Sequence, residues 1–541
     1  MRRGSGWMGA NPDNTDTTAD GYSPLRGDGG VRRWRLVSPS SASLFIAALV
    51  AWLSYAVVPG NVDVTYLIVV CNRLLDGAQL YVDVIETNPP FSVWLYMPVA
   101  LGERLTGVPA ELLLSLGIPV FALASVALCA RILGSVERFS APRFAWLAPV
   151  TVAAVLYLFP GNFGQREQIG IIALLPWLAL LIARHETPDF RSGSTLTRIL
   201  AGIGAAVFVM IKPPFAVLAL ALPAFGLCFM RRSLRPLLTV ETLLGAVITL
   251  AYLAVLALFY RAFFTDLMPM LAELYLPARK SILHGDLVRP VAGLLIIVGI
   301  AFAVARPGRI DRAAALLLLA ALGYVPCYLW MGKGWDYQAM PIHMFGLLAL
   351  CAQLWTLPPY RQWASTTRLA AAAGAFVVIG LVVSGAGQGI LEASQKAELG
   401  RARDAVVSHV ERPTVASIAT RMQAAFPLTR MIEGRYQSRY ASLWAVENAE
   451  TMMEAAADSV DADRLETLRD NHIADAAREL QQLRPDIILA GGSRETAGQT
   501  AISANVANVD ALENYRVIYR NSAATIWLRS DLVASSAAAA D

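Results

Sequence analysis

The stretch Asn61 to Gly107, NVDVTYLIVVCNRLLDGAQLYVDVIETNPPFSVWLYMPVALGERLTG, follows directly on the first membrane-length apolar run, Ser43 to Val58. It opens on an acidic residue, Asp63, at the foot of that run. An amphipathic helix pattern comes next, then a break at Gly77, then Tyr81 and Asp83. Glu86-Thr87-Asn88-Pro89-Pro90 leads into an aromatic segment. Carboxylates held at a membrane surface point to a functional site, because ionisable groups near hydrocarbon are costly to keep.

Outward from this stretch, the chain reads as a polytopic membrane protein. With 56% hydrophobic and 16% charged residues over 541 positions and a mean hydropathy of +0.50, its apolar surface exceeds what a soluble core can bury. The net charge of +4 comes from arginines spread among loops rather than a basic stripe, which excludes nucleic acid as a partner class. Cys71, Cys129, Cys228, Cys327 and Cys351 show no Cys-x-x-Cys spacing, and His185, His284, His343, His409 and His472 share no ligand spacing. Neither a metal site, a cofactor site nor a disulfide framework is expected.

Residues 1–38 are rich in Gly, Asp, Thr and Arg without an apolar core, so a disordered tail is expected rather than a cleavable signal. Arg32-Arg33-Trp34-Arg35 before the first span places that tail in the cytoplasm. Further apolar runs at 110–133, 144–159, 169–183, 199–211, 215–230, 240–260, 291–304, 313–331, 342–355 and 370–383 bring the expectation to about eleven spans. Arginines then fall in every second loop: 131/138/143, 184/191/198, 231/232/235, 306/309/312 and 361/368. Those loops are cytoplasmic by the positive-inside rule.

The alternation holds only if residues 89–106 do not cross, so a juxtamembrane or re-entrant helix is expected there, covered by protein. Likewise the thirty-two residues between Arg198 and Arg231 must cross twice. About 16 residues a pass gives roughly 24 Å of helix against a core of about 30 Å. The turn at Lys212-Pro213-Pro214 is therefore expected to be recessed, and a lysine at depth needs an anionic partner or a wet cavity.

On this sidedness the outer loops collect the chemistry: 61–107, the Gly161-to-Glu167 run GNFGQRE, Lys212, the long 261–289 loop, and Gly332 to Gln338, GKGWDYQ. Residues 388–541 read as a small outer α/β domain after a transmembrane part at 39–387. The expected elements are a helix over 402–410, a strand near 414–419, helices over 461–483, a strand at 486–490, a hairpin pairing 516–519 with 525–528, and a frayed tail at 535–540.

Glycosyl transfer from a phosphate-linked sugar needs a carboxylate to take the acceptor proton and cations to hold the departing phosphate, which leaves as a stable anion without a general acid. The outer loops supply Asp63 as base and Arg166, Lys212 and Lys333 as phosphate partners. Asp83, Glu86, Asn88, Glu167 and Gln338 are candidate substrate contacts, and Trp335 and Tyr337 are candidate sugar-stacking rings. Each has a plainer reading. Asp63 could cap the helix behind it, Asp83 could order a turn, and Asp76 could end a helix. Lys212 could snorkel, Arg166 and Glu167 could pair with each other, and Trp335 and Tyr337 could belong to an aromatic belt.

An acidic residue after the first span, then LLDG (Leu74 to Gly77), LYVD (Leu80 to Asp83) and NPPF (Asn88 to Phe91), resembles the first outer loop of the GT-C polyprenyl-phosphate-sugar glycosyltransferases. That group includes the protein O-mannosyltransferases, lipid A aminoarabinose transferases and rhizobial galacturonosyltransferases. The resemblance implies a GT-C fold, a polyprenyl-phosphate sugar donor and a periplasmic glycan, lipid or protein acceptor at a bacterial inner membrane. It also implies inversion at the anomeric carbon and catalysis by Asp63. Two departures stand out. Val64 follows Asp63 where many relatives carry a second acid, and Thr87-Asn88-Pro89 stands where the aminoarabinose transferases have Glu-Lys-Pro, which displaces Glu86 by one residue. The rival readings are a transporter or flippase, against which the absence of an internal repeat argues, and an inactive scaffold of a polysaccharide assembly complex.

Overall fold

The computed structural model describes residues 38–56, 60–157, 160–187, 194–212, 216–305, 310–357, 365–455, 461–491, 498–500, 502, 511–522 and 524–533. Residues 1–37 of the tail expected over 1–38, Pro213 and Pro214, Arg191, Arg306, Arg309, Arg361 and the tail at 535–540 lie outside the described residues.

Each of the expected apolar runs falls in a helix: α1 (Pro39–Ala56), α5 (Ala110–Gly134), α6 (Leu147–Tyr157), α7 (Arg166–Glu186), α8 (Thr195–Ile211), α9 (Val217–Arg231), α10 (Val240–Phe259), α12 (Gly285–Val304), α13 (Arg312–Met331), α14 (Asp336–Trp355) and α15 (Ser365–Val407). Among the described residues, α1, α5, α7, α10, α12 and α13 are long and apolar enough to cross a membrane, while α8 and α9 are shorter apolar helices. The outer surface of the bundle is apolar. Leu243, Val247, Leu250, Leu258 and Phe259 of α10 are all exposed, as suits a lipid-facing helix. By contrast α7 is apolar through its middle and buried on nearly all sides, the pattern of a helix at the centre of a bundle. Glycines let neighbours reach it closely: a side chain at Gly204 of α8 would collide with the Ala173 carbonyl of α7.

The helix ends segregate as the arginine spacing predicts. At one end Arg138 bonds Glu186 at 2.5 Å and also Asp311, Arg184 pairs with the fully buried Glu241, and Arg231 donates to the Arg184 and His185 carbonyls. Together these contacts join the ends of α7 and α9, the start of α10, and the residues after α5 and before α13.

At the other end lie two short helix groups. α2 (Val62–Leu75) is followed by a tight turn and by α3 (Phe91–Trp94) and α4 (Met97–Thr106), so residues 89–106 form two short helices and not one long enough to cross. Tyr81 in that turn holds φ +70, a conformation costly without glycine. It is locked there by its N–H to the Val84 carbonyl at 2.7 Å and its hydroxyl to the Asn88 carbonyl at 2.7 Å. The aromatic segment packs onto α10, with Phe91 and Trp94 each 5.9 Å from the Tyr252 ring.

The long 261–289 loop is partly helical, with π-helical turns at Phe263–Leu267 and Leu271–Tyr275 around α11 (Met268–Met270). The helix expected over 402–410 is instead the end of α15, a single helix of 43 residues that continues from the last apolar run.

Beyond α15, a five-stranded sheet is ordered β2-β1-β3-β5-β4. Its strands are β1 (Thr414–Ser417), β2 (Arg435–Tyr436), β3 (Ile487–Gly491), β4 (Tyr515–Arg520) and β5 (Ala524–Arg529). β2, β1 and β3 are parallel, and β4 and β5 form the expected antiparallel hairpin, with Arg516 opposite Leu528. α16 (Leu428–Met431), α17 (Trp444–Ala455) and α18 (Asp461–Leu483) complete this part.

Candidate active site

Asp63 sits in the first turn of α2, but it does not cap that helix. Asn61 does, accepting from the Val64 N–H at 3.2 Å, so the capping reading belongs to the residue two before. Asp63 is left half-buried with its Oδ2 accepting from Gln165 Nε2 at 2.9 Å. The same nitrogen donates to Asn61 Oδ1 at 2.9 Å, and Asn61 Nδ2 reaches the Gly161 carbonyl at 2.8 Å. The chain turns into α7 through Gly164 at φ +79, a conformation in which glycine carries no penalty. That turn is closed by the Tyr96 hydroxyl on the Gly164 carbonyl and by Gln168 Oε1 on the Gly164 N–H, both at 2.7 Å.

α7 opens with Arg166 and Glu167, buried to 3% and 2% exposure, and no side chain caps its first turn. The two do not pair with each other as the plainer reading had it. Arg166 Nη1 faces Glu86 Oε1 at 3.9 Å, beyond hydrogen-bond distance, and Glu167 pairs with Lys212. Arg166 Nε is buried without an acceptor among the described residues. Lys212, 9% exposed at the end of α8, therefore has the anionic partner its depth demands. Its ammonium also lies 5.3 Å from the centre of the Tyr337 ring.

Glu86 is 5% exposed and accepts from the backbone N–H of Asn88 at 3.0 Å and from the Asn88 side chain. Burial pushes its carboxyl above the ordinary range, Arg166 and Asn88 pull it back, and Asp63 adds to the rise. Tyr275 closes another side: burial raises its hydroxyl, and Asp63 raises it further. Asp63, Glu86, Arg166, Glu167, Lys212, Tyr275 and Tyr337 thus form one electrostatically linked group drawn from five separate parts of the chain.

Of the other expected residues, Trp335, Gln338 and Lys333 come from the segment that carries Tyr337, and Asp83 has no contact with the group among the described residues. Trp335 is exposed and stacks on Tyr337 with ring centres 5.7 Å apart. Gln338 is 1% exposed with its Oε1 unpartnered among the described residues. Lys333 spends its ammonium on the Tyr275 and Ala278 carbonyls, both at 2.6 Å, and lies 4.1 Å from the Tyr275 ring centre. It stitches loop to loop, which leaves less of it for a phosphate than expected. Burial and then Arg279 bring it down to about 8. Asp83 is exposed and accepts from the Gln79 N–H at 2.8 Å, the turn-ordering contact of its plainer reading.

The roles of Asn61, Gln165 and Tyr275 are not legible in the sequence, since an amide or a ring far along the chain carries no spacing signal. Nor does the sequence show that the C-terminal part clamps the Glu86 loop. The Ile85 N–H bonds the Arg439 carbonyl at 2.8 Å, Arg439 Nε bonds the Val82 carbonyl at 3.1 Å, and Arg73 reaches the Ser438 carbonyl at 2.5 Å. Among the described residues no group of His, Cys, Asp or Glu is placed to hold a metal ion.

No protein-family model matches the chain, and no curated protein matches it in sequence. Solved structures do. It is similar to the crystal structure of ArnT from Cupriavidus metallidurans bound to undecaprenyl phosphate, with 11% identity and a TM-score of 0.54 over 90% of this chain and 97% of that one. It is similar also to the apo state of the same protein, with 12% identity and a TM-score of 0.52 over 91% and 98% of the two chains. An alignment spanning nearly the whole of both chains at this identity establishes architecture, and the chain has the GT-C fold that its first outer loop implies.

Proposed function

We propose that this protein is a membrane glycosyltransferase that moves a sugar from a polyprenyl-phosphate-linked donor to a hydroxyl acceptor on the outer side of a bacterial inner membrane. One observation carries the reading. Among the described residues, a half-buried carboxylate with one oxygen free of protein donors, Asp63, acts on a buried guanidinium whose Nε lacks an acceptor, Arg166. In the reaction Asp63 takes the proton of the acceptor O–H and the oxygen bonds the anomeric carbon. The bond from that carbon to the phosphate oxygen breaks, its electron pair leaving with the phosphate. Arg166 and Lys212 hold the charge that develops there in a site poor in water, where fixed cations act most strongly. Glu86, Asn88, Glu167, Gln338, Trp335 and Tyr337 line the sugar, and Lys333 keeps the neighbouring loop in place.

The undecaprenyl phosphate held by the ArnT structure supports the donor class. The sidedness follows from the arginine-rich ends: they face the cytoplasm with the N-terminus, while the Asp63 end and residues 388–541 face the periplasm. The test uses the full chain in lipid nanodiscs, with a labelled polyprenyl-phosphate sugar and an extract of envelope glycolipids. Asp63→Asn abolishes transfer while the protein stays folded and inserted. Turnover retained by that variant removes Asp63 from the mechanism, and solute flux in liposomes without acceptor favours a transporter instead.

A further inference from the structure

Gln165 is the N-cap residue of α7, yet its side chain caps nothing. It is fully buried, and its one amide nitrogen donates to both Asn61 Oδ1 and Asp63 Oδ2 at 2.9 Å. Two acceptors on one amide nitrogen fix which end of the group is nitrogen. The carbonyl end, Oε1, is buried without a donor among the described residues. A buried amide that leaves its own oxygen unsatisfied in order to present both hydrogens to one asparagine and one carboxylate is costly for stability alone. We infer that Gln165 is a positioning residue for Asp63: it holds Oδ2 from the α7 side and turns Oδ1 toward the acceptor hydroxyl. The inference rests on the reading of Asp63 as the base.

The chemistry favours a neutral donor here. A general base must present one oxygen within about 2.6–3.2 Å of the proton it takes. A cation in place of Gln165 would orient the carboxylate as well but would strip its basicity, because an adjacent positive charge favours the charged carboxylate far more than one amide hydrogen bond does. Asn61 anchors the amide from the other side through the cap of α2 and the Gly161 carbonyl. The result is a rigid path from the start of α2 to the start of α7. The groups that face Asp63 electrostatically are Glu86 in the loop, Tyr96 before α4, Arg166 on α7, Tyr275 in the π-helical turn and Tyr337 on α14. None of these donates a hydrogen bond to the carboxylate, so among the described residues Gln165 is its one side-chain orienter.

Two measurements on full-length protein in detergent or nanodiscs test this. The first needs no turnover: a hydrophobic carbodiimide reacts only with protonated carboxyls, and peptide mass spectrometry reads its addition to Asp63 against pH. In Gln165→Leu, losing the donor to the ionised form carries labelling to higher pH by roughly one pH unit, while Gln165→Asn gives an intermediate profile. The second is steady-state transfer. Gln165→Leu lowers kcat about 100-fold, as expected of a misplaced reacting group, with donor and acceptor KM within about threefold and the acid limb displaced in the same direction as the labelling. An unchanged labelling profile in a folded Gln165→Leu protein overturns the inference, even if transfer is lost. Shifted labelling in a protein whose transfer does not depend on Asp63 upholds the contact and overturns the proposed function instead.

Discussion

The buried pair of Lys212 and Glu167 separates what holds this fold from what the fold is for. The lysine side chain is 9% exposed and the glutamate side chain 1%. Lys212→Met therefore leaves a carboxylate with almost no access to water, no ion-pair partner in contact and only the field of Arg166 as counter-charge. Breaking one side of such a pair costs about 3–5 kcal/mol, whereas replacing both members by neutral groups of similar shape is close to neutral. Lys212→Met alone thus lowers the unfolding midpoint strongly, and Lys212→Met with Glu167→Gln recovers most of it, a coupling of several kcal/mol between adjacent sites. Transfer behaves differently. Both proteins lack the cation assigned to the departing phosphate, a loss worth about 100- to 1,000-fold in kcat. The assay is unfolding of the wild type, Lys212→Met, Glu167→Gln and the double variant in one detergent, read beside initial transfer rates at saturating donor. A double variant as unstable as Lys212→Met refutes the ion-pair account. A double variant with wild-type transfer removes Lys212 from the phosphate site.

Glu86 makes the chain lose stability as pH rises. Its folded carboxyl is held above the ordinary 4.5, so the folded state keeps a proton that the unfolded chain has released, and stability falls as pH climbs from there through the folded value. Glu86→Gln removes that decline: it matches the wild type in acid and is more stable at neutral pH, as unfolding midpoints across pH will show. Arg430 ties the C-terminal part to the end of α4 and the start of α5, at 2.6 Å to Glu103 and 2.7 Å to Glu111. Arg430→Met releases α16 from the bundle, seen as faster amide exchange over Leu428–Met431. Because Glu103 sits below the ordinary range through its Arg430 contacts despite its burial, the wild-type clamp holds above that range and weakens as pH falls through the depressed value.

The helical membrane architecture was legible because the solvent changes, while its GT-C character came from the resemblance of the first outer loop. In hydrocarbon every crossing must be a helix with its own backbone satisfied, so apolar runs and the arginines of alternate loops predict helices and their segregated ends without knowledge of contacts. The same logic marked 89–106 as no crossing and Lys212 as a buried cation in want of a partner, and the structure supplies two short helices and Glu167. The hairpin of β4 and β5 was readable from alternation and its turn. What the sequence could not carry was partner choice. Arg166 and Glu167 are adjacent, yet helix geometry sends neighbouring side chains in different directions, one toward Glu86 and one toward Lys212. Whether Asp63 or Asn61 caps α2, whether Lys333 faces a ligand or two carbonyls, and that Gln165 reaches Asp63 from 102 positions away were settled only when packing brought distant segments within 3 Å or so of each other, the range over which a hydrogen bond is decided. Sequence by itself determined where the chain meets lipid and on which side its charges gather. Tertiary structure alone decided which of those charges answers which, since hydrophobic periodicity is a local property and hydrogen-bond pairing is not.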